Sequence, residues 1–146
     1  MSNWTHVAAV FRVDDLATLS KKTRSNPDKV FGKECLLIGT DDESIKAFSK
    51  EYRNAMKYPE KYLPMGSEGS LHKSVWENPD PSELAHYTIT VWGDLRDHES
   101  LDEIETWFRG CCEKLKGWIR QACCTIVNDF NGARNIMYRF DEEVKE

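Results

Sequence analysis

The chain has 146 residues, of which 40% are hydrophobic and 31% charged, and its formal net charge is −5. This composition excludes an intrinsically disordered chain, and the acidic balance argues against broad nucleic-acid binding, which needs clustered lysine and arginine. The length predicts a single domain over residues 1–146 with a core of its own and a polar tail at residues 141–146.

The start of the chain and the cysteines bear on the cellular compartment. Residues 1–6 have neither the basic start nor the apolar run of a signal peptide, and no segment is apolar enough to span a membrane. The five cysteines include two adjacent pairs, Cys111–Cys112 and Cys123–Cys124, which suit neither a disulfide framework nor a zinc site. We therefore expect a cytoplasmic protein with buried free thiols, no metal, no cofactor and no membrane partner.

The N-terminal part of the chain predicts two strands separated by a polar stretch. Residues 5–13 alternate in hydrophobicity, which is typical of a half-buried strand, and the core face carries Val7, Ala9, Phe11 and Val13. Residues 14–19 predict a short helix, and the polar residues 21–28 predict a loop. The short apolar run at residues 34–38 predicts an edge strand.

A longer helix follows this run. Residues 40–43 (Thr-Asp-Asp-Glu) have the capping-box pattern that opens a helix, and the helix should end before Pro59. Its predicted apolar face consists of Ile45, Phe48, Tyr52, Ala55 and Met56. Residues 58–65 then predict an extended crossing to the glycine-containing loop at residues 66–70.

The central part of the chain predicts two strands and a helix. Residues 70–76 and 86–92 read as strands, and the connector at residues 77–82 is dense in turn-forming residues. Ser100 begins a second capping box, and the helix after it has apolar residues at helical spacing. These residues are Leu101, Ile104, Trp107, Phe108, Cys111, Cys112 and Leu115.

The C-terminal part predicts a β-hairpin. Residues 118–130 and 133–140 read as strands, and Asn131–Gly132 between them is a strong signal for a two-residue turn. Such a turn pairs Phe130 with Ala133. Counting back along the strands, the core face should carry Val127 opposite Ile136, Thr125 opposite Tyr138 and Cys123 opposite Phe140.

These elements together predict an α+β fold. The economical arrangement is a mainly antiparallel sheet with the helices on one face, in a ferredoxin-like variant with an added C-terminal β-hairpin. The strand order stays open at this point.

The loops at one end of the central strands form a candidate ligand site. The two strands should be antiparallel because their turn is short, which places residues 66–70 beside residues 93–98. A helix N-terminus attracts anions, and an arginine grips carboxylate or phosphate groups. We therefore predict a ligand-binding site made of Ser67, Glu68, Asp94, Arg96, Asp97 and His98. The alternative is that these residues cap turns and pair with one another.

The outward-facing side of the central strands is a second candidate surface. Trp76 and Trp92 share it with His72 and His86, and such a face suits a flat ligand or a partner protein. The alternative is that both tryptophans pack beneath the N-terminus or beneath the crossing at residues 58–65.

Two short motifs on that side resemble a known family of enzymes. Residues 72–75 (His-Lys-Ser-Val) and 86–89 (His-Tyr-Thr-Ile) resemble the His-x-Ser/Thr-hydrophobic motif of the two-histidine phosphoesterases. The resemblance implies His72 and His86 as an acid–base pair, with Ser74 and Thr88 holding the phosphate. The chain departs from that family because both motifs lie on neighbouring strands instead of in two pseudo-symmetric halves.

A wider resemblance covers most of the chain. Residues 61–70 (Lys-Tyr-Leu-Pro-Met-Gly-Ser-Glu-Gly-Ser) and 92–98 (Trp-Gly-Asp-Leu-Arg-Asp-His) resemble uncharacterised small proteins encoded by bacterial phages and prophages. This implies a protein of the bacterial host cytoplasm that binds a host protein or sequesters a small anionic, nucleotide-like ligand, and so antagonises a host factor.

We therefore favour a non-enzymatic binding protein. The alternatives are a phosphoesterase that uses His72 and His86, and a structural or assembly protein of a phage particle. Self-association into a homo-oligomer stays open under each hypothesis.

Overall fold

Five strands and three α-helices make up the part of the chain that the computed structural model describes, which is residues 2–14, 27–98 and 100–139. In chain order they are β1 (Trp4–Val13), α1 (Pro27–Phe31), α2 (Asp42–Lys57), β2 (Leu71–Glu77), β3 (Tyr87–Arg96), α3 (Leu101–Lys114), β4 (Ile119–Asn128) and β5 (Gly132–Arg139). A short 3₁₀ turn, Pro59–Lys61, follows α2. No helix among these residues is long and apolar enough to cross a membrane.

The strands form one antiparallel sheet in the order β2-β3-β1-β4-β5. The predicted alternation of β1 is confirmed, because the side chains that the pattern assigned to the core are buried. The matching positions of the neighbouring strands extend this core, and they include Leu71, Ile89, Val91, Leu95, Ala122, Cys124 and Ile126. The α+β class and the antiparallel sheet therefore agree with the sequence prediction.

Helix α3 covers this core face. The Ser100 hydroxyl accepts a hydrogen bond from the Glu103 amide at 3.1 Å, so the predicted N-cap is confirmed. The Phe108 ring packs 5.2 Å from the ring of Phe11 at the centre of the sheet, and the Phe31 ring of α1 lies 4.9 Å from Phe11 on another side. The apolar stripe of α3 thus packs as its helical spacing indicates.

Helix α2 is placed differently from α3. Its N-cap is Asp41, whose carboxylate accepts a hydrogen bond from the Ser44 amide at 2.7 Å, so the helix starts one residue later than the Thr40 pattern predicted. Only Ala55 of its apolar face is buried, and Ile45 and Met56 are exposed. The helix was predicted correctly, but its apolar face lies outside the main core and packs on a separate small cluster, where Ala55 meets Cys35 and Tyr62.

The predicted edge strand at residues 34–38 is absent, and this prediction was wrong. Residues 34–38 form no bridge, the isolated bridge between Lys33 and Tyr62 comes just before them, and Ile38 is 76% exposed. The reason lies at the outer edge of β2, where the Lys73 amide donates to the Glu34 carboxylate at 2.6 Å. The Glu34 side chain thus binds the edge of β2 where the backbone of an added strand would otherwise pair with it. The end of β2 is also more open than predicted, because Val75 is exposed.

Part of the N-terminal prediction lies outside the described residues. Residues 15–19 of the predicted short helix and most of the loop at residues 21–28 belong to this part. The loop prediction did not include α1, which begins at Pro27 and buries Val30 and Phe31.

The predicted register of the C-terminal hairpin was also wrong. Asn128 pairs with Gly132 across a three-residue loop, and the Asn128 side chain accepts from the amides of Phe130 and Asn131 at 2.9 and 2.8 Å. This shifts the pairing of β4 by three residues against the prediction, and a shift by an odd number of residues moves every side chain of the strand to the other face.

The consequence is that β4 buries the residues that were predicted to face solvent. Val127 lies opposite Ala133, and the partner of Ile136 is Cys124. Ile136 is buried as predicted, whereas Cys123, Thr125 and Val127 are exposed on the opposite face. The predicted partner of Cys123, Phe140, lies outside the described residues, and Cys123 pairs with Met137.

Candidate functional site

The glycine-containing loop lies against the end of β3, as the antiparallel pairing predicted. Strand β3 runs to Arg96, four residues beyond its predicted end. The Ser67 amide donates to the Arg96 carbonyl at 2.8 Å, and the Arg96 amide donates to the Glu68 carbonyl at 3.0 Å. Backbone hydrogen bonds in both directions therefore hold the loop on the strand.

Two glycines make this close approach possible. A Cβ on Gly66 would lie 2.4 Å from the backbone nitrogen and oxygen of Arg96. A Cβ on Gly69 would lie 2.1 Å from the Asp94 carbonyl oxygen, and Gly69 also has a φ of +81°, which side-chain-bearing residues rarely adopt. The loop sequence is thus set by backbone contact with β3.

Four of the six predicted site residues converge here. The Ser67 hydroxyl donates to the Asp97 carboxylate at 2.8 Å, and Arg96 Nη1 donates to Glu68 Oε1 at 2.6 Å. Arg96 Nε lies 3.9 Å from Asp97 Oδ2. The guanidinium of Arg96 therefore sits between two carboxylates, which balance its charge.

The other two predicted residues belong to different surroundings. Asp94 is turned towards β1, where its Oδ1 lies 2.7 Å from His6 Nδ1. His98 Nε2 lies 3.2 Å from Glu103 Oε2, and His98 lines a second cavity of about 530 Å³ together with Trp107. The six residues thus do not form one site.

A largely apolar cleft of about 660 Å³ opens beside the loop. Its walls are the segment at residues 35–37, one side of α2 and the loop itself. Phe48 and Tyr52 of α2 form an aromatic pair on one wall, with ring centroids 5.9 Å apart. The lining residues are Cys35, Leu36, Leu37, Phe48, Tyr52, Met65, Gly66, Ser67, Glu68, Gly69, Ser70 and His72.

A small polar network fixes the helix that carries the aromatic pair. The Tyr62 hydroxyl donates to Glu51 Oε1 at 2.5 Å and accepts from Asn54 Nδ2 at 2.9 Å. The hydrogen bond from Tyr62 lowers the pKa of Glu51, and burial together with this bond raises the pKa of Tyr62. Helix α2 is therefore held to the rest of the protein by these hydrogen bonds to buried Tyr62, and not by extensive contact with the main core.

The two histidines of the phosphoesterase motifs are far apart. His72 pairs with Trp92 and lines the cleft, whereas the His86 carbonyl accepts from the Asn78 amide near the other end of β2. Six residues of strand separate the two positions, which corresponds to about 20 Å. The hydroxyl residues are also separated, because Ser74 lies opposite Thr90 and Thr88 lies opposite Trp76. The described strands therefore do not bring this acid–base pair to one phosphate.

The tryptophans of the outward-facing side are open to solvent. Trp76 is 56% exposed and Trp92 is 45% exposed, and the His72 ring lies 5.8 Å from the Trp92 ring. Neither tryptophan is therefore buried beneath another described segment, as the alternative prediction required.

Two features of this region were not predicted from the sequence. Phe48 and Tyr52 were not assigned to a site, although their spacing of four residues places them on one side of a helix. His6 was also left out; it lies between Asp94 and Asp129, with its Nε2 2.9 Å from Asp129 Oδ1. These hydrogen bonds, with Asp94 first, raise the pKa of His6. The sequence signal for His6 was its position on β1, because it alternates with the core residues and therefore faces away from the core.

The described residues contain no group of three or more His, Cys, Asp or Glu side chains arranged to hold a metal ion. The site is thus defined by an apolar aromatic cleft with a few polar groups at its rim. Comparisons with protein-family models, with curated proteins and with solved structures found no significant match to this chain.

Proposed function

We propose that this chain is a small non-enzymatic binding protein of the phage-accessory type that acts in the cytoplasm of a bacterial host. The resemblance at residues 61–70 and 92–98 supports the origin. We further propose that the fold is a ferredoxin-like variant. The order β2-β3-β1-β4, with β5 added beyond β4, supports this assignment.

The cleft is the observation that carries the binding role. Its volume of about 660 Å³ lies within the usual range for small-molecule sites, and its surface is mostly apolar with few polar groups. The Phe48–Tyr52 pair suits the flat surface of an aromatic ligand. Ser67, Glu68 and His72 at the rim would orient the polar edge of that ligand.

The charges around the cleft favour a neutral or weakly basic ligand over the anion expected from the sequence. No lysine or arginine is among the described lining residues. Arg96 behind the rim is paired with Glu68 and lies near Asp97, so an anion would have to displace a carboxylate. We therefore propose that the protein sequesters a flat, uncharged or weakly basic aromatic molecule, such as a nucleobase-like compound, and so antagonises a host factor.

The phosphoesterase alternative has less support. Its mechanism needs two histidines at one phosphate, and the register of β2 and β3 separates His72 from His86 by about 20 Å.

Native mass spectrometry of the protein purified from its natural host tests the proposal. We expect the wild type to carry a small aromatic molecule, and Phe48→Ala to lose it. Met56→Ala is the matched control, because Met56 lies on the same helix but is exposed and does not line the cleft. If no small molecule is retained and no compound in a panel of nucleobases and aromatic amines raises the melting temperature, the proposal is wrong.

A further inference from the structure

The second cavity, of about 530 Å³, lies between α1, α3 and the chain at residues 59–65. We call it the helix cavity. Among the described residues it shares only Met65 with the lining of the aromatic cleft. A ligand in the helix cavity would therefore occupy a site of its own, separate from the one proposed above.

Helix α3 has two sides with different surroundings. One side is buried against the sheet through Ile104, Phe108 and Leu115. The residues that line the helix cavity recur every three or four positions, so they share another side of the helix. They are Glu103, Thr106, Trp107, Gly110 and Lys114. The packing of the core therefore does not account for this second side.

Gly110 is the residue on this side that stability does not explain. Glycine in a helix interior is less favourable than alanine, and Gly110 lies within α3. A Cβ on Gly110 would have no atom within 4 Å, so close packing does not require a glycine. The missing side chain instead leaves open space in the wall of the helix cavity. This is the arrangement expected where a ligand needs the room.

The apolar wall of the helix cavity is held in place by α1. Trp107 Nε1 donates to the Phe31 carbonyl at 3.0 Å, and the indole meets the Phe11 ring edge-on at a centroid distance of 6.3 Å. Phe31, Pro64 and Met65 add further apolar surface. A preformed apolar wall of this kind suits a compact apolar group, and the indole ring also attracts cations.

The charged groups of the helix cavity favour a cation over an anion. Lys114 Nζ donates to the Lys29 carbonyl at 3.4 Å. His98 Nε2 lies 3.2 Å from Glu103 Oε2. Both basic side chains therefore already have an acceptor. The Glu60 carboxylate, by contrast, has no hydrogen bond or ion pair with any other described residue.

We propose that the helix cavity is a second binding site, which takes a small primary amine with a compact apolar body. The ammonium group of the ligand pairs with the Glu60 carboxylate. The apolar body packs on Trp107 and occupies the space above Gly110. The proposal does not rest on the ligand of the aromatic cleft, because the two sites have different walls and different charges.

Nuclear magnetic resonance titration of the full chain tests the proposal. The probe is cyclohexylmethylamine, whose saturated ring differs from the flat ligand proposed for the cleft. We expect it to shift the indole N–H signal of Trp107, identified among the five tryptophans by Trp107→Phe, with a dissociation constant of about 1 mM. Cyclohexylmethanol and cyclohexanecarboxylate have the same ring without the ammonium group, and each should bind at least about threefold more weakly.

Two variants separate the apolar contact from the charge. Gly110→Leu should remain folded, because its Cβ has free space, and should weaken the amine about tenfold or more by filling part of the cavity. Glu60→Gln should weaken the amine about threefold and leave the affinity for the alcohol unchanged. Glu113→Leu is the matched control, because Glu113 is an exposed residue of α3 that does not line the cavity. This control should bind the amine as the wild type does.

Four results would overturn the proposal. The first is a Trp107 indole signal that does not move at about 10 mM amine, ten times the expected dissociation constant. The second is a set of shifts confined to the cleft, at Phe48 and Tyr52. The third is a folded Gly110→Leu variant that binds the amine as well as the wild type. The fourth is equal affinity for the amine, the alcohol and the carboxylate.

A smaller substitution keeps the test decisive if the leucine cannot be accommodated. If circular dichroism shows Gly110→Leu to be unfolded, Gly110→Ala replaces it. The added methyl group should weaken the amine about twofold to threefold while the melting temperature rises. Unchanged affinity in this variant would also overturn the proposal, because the space above Gly110 would then not belong to the site.

Discussion

His6 Nδ1 lies 2.7 Å from Asp94 Oδ1, and this contact joins two directly opposite residues of β1 and β3. Nε2 of the same ring lies 2.9 Å from Asp129 Oδ1, which adds the loop between β4 and β5. One imidazole therefore links three parts of the sheet, and both of its nitrogens have a carboxylate partner. A protonated ring serves both partners as a donor.

This arrangement predicts a pH-dependent stability. The pKa of His6 is raised in the folded state, chiefly by the hydrogen bond with Asp94, and the unfolded value is about 6.5. The stabilisation is therefore fully present below about pH 6.5 and is lost as the pH rises through the raised pKa. Because the ring is 42% exposed, solvent screening keeps the contribution small.

Thermal unfolding of wild type and His6→Gln at a series of pH values checks this prediction. The wild type should have the higher melting temperature at low pH, and the difference should shrink as the imidazole loses its proton. High salt should reduce the difference at low pH, since the pairs are at the surface. A difference that is the same at every pH would contradict the prediction.

Two glycines in different surroundings, one in the loop on β3 and one in α3, should respond in opposite ways to substitution by alanine. Gly69→Ala should lower the free energy of unfolding by at least about 2 kcal/mol, because the residue has a positive φ and a Cβ would overlap the Asp94 carbonyl. Gly110→Ala is the control within α3, where a Cβ has nothing within 4 Å. It should stabilise the protein by about 0.5–1 kcal/mol. Urea unfolding measures both, and a stable Gly69→Ala variant would show that the loop does not contact β3 in this way.

The attachment of α2 predicts a local effect of Tyr62→Phe. This change removes the donor to Glu51 and the acceptor for Asn54, so we expect a loss of about 1–3 kcal/mol in the free energy that opens α2. Amide hydrogen exchange should rise over Asp42–Lys57 and change little in β1 and α3.

Tyr58→Phe is the matched control for that measurement. Tyr58 lies at the end of α2, is 37% exposed and contacts Lys57 and Lys61 through its ring face, which phenylalanine retains. If exchange in α2 rises equally in both variants, the Tyr62 network does not hold the helix.

The ion pair at the rim of the cleft predicts opposite changes in affinity for a basic ligand. Arg96→Ala leaves the Glu68 carboxylate without its 2.6 Å partner, so a flat cationic probe such as aminoacridine should bind about threefold to tenfold more tightly. Glu68→Gln should weaken the same probe by a similar factor. Fluorescence titration measures both, and a shift in the same direction for both variants would remove Glu68 from the site.

The strand β1 and the helix α3 show what local sequence patterns predict well. The apolar positions of β1 recur every second residue and those of α3 at helical spacing, and each set meets one large core face. The short connector between β2 and β3 likewise requires antiparallel pairing. That pairing places the loop at residues 66–70 beside Arg96, as predicted.

The hairpin register and the cleft depended on contacts that no local pattern contains. The Asn128 side chain accepts two amides and lengthens the turn by one residue, although Asn131–Gly132 alone favours the shorter turn. Tyr62 fixes α2, which forms one wall of the cleft, through Glu51, and Glu34 accepts from the Lys73 amide at the edge of β2; neither contact is visible in a local sequence pattern.

The sequence by itself therefore determined the class of the fold, the two core faces with strong periodicity and the meeting of two central loops. Periodic burial is a property of each element alone, so it is visible without knowledge of the partner. Only the tertiary structure decided that Asp94 faces His6, that Arg96 is balanced by Glu68, and that Phe48 and Tyr52 line a cleft. These relationships depend on which side chain reaches which neighbour, and that is set when the elements pack together.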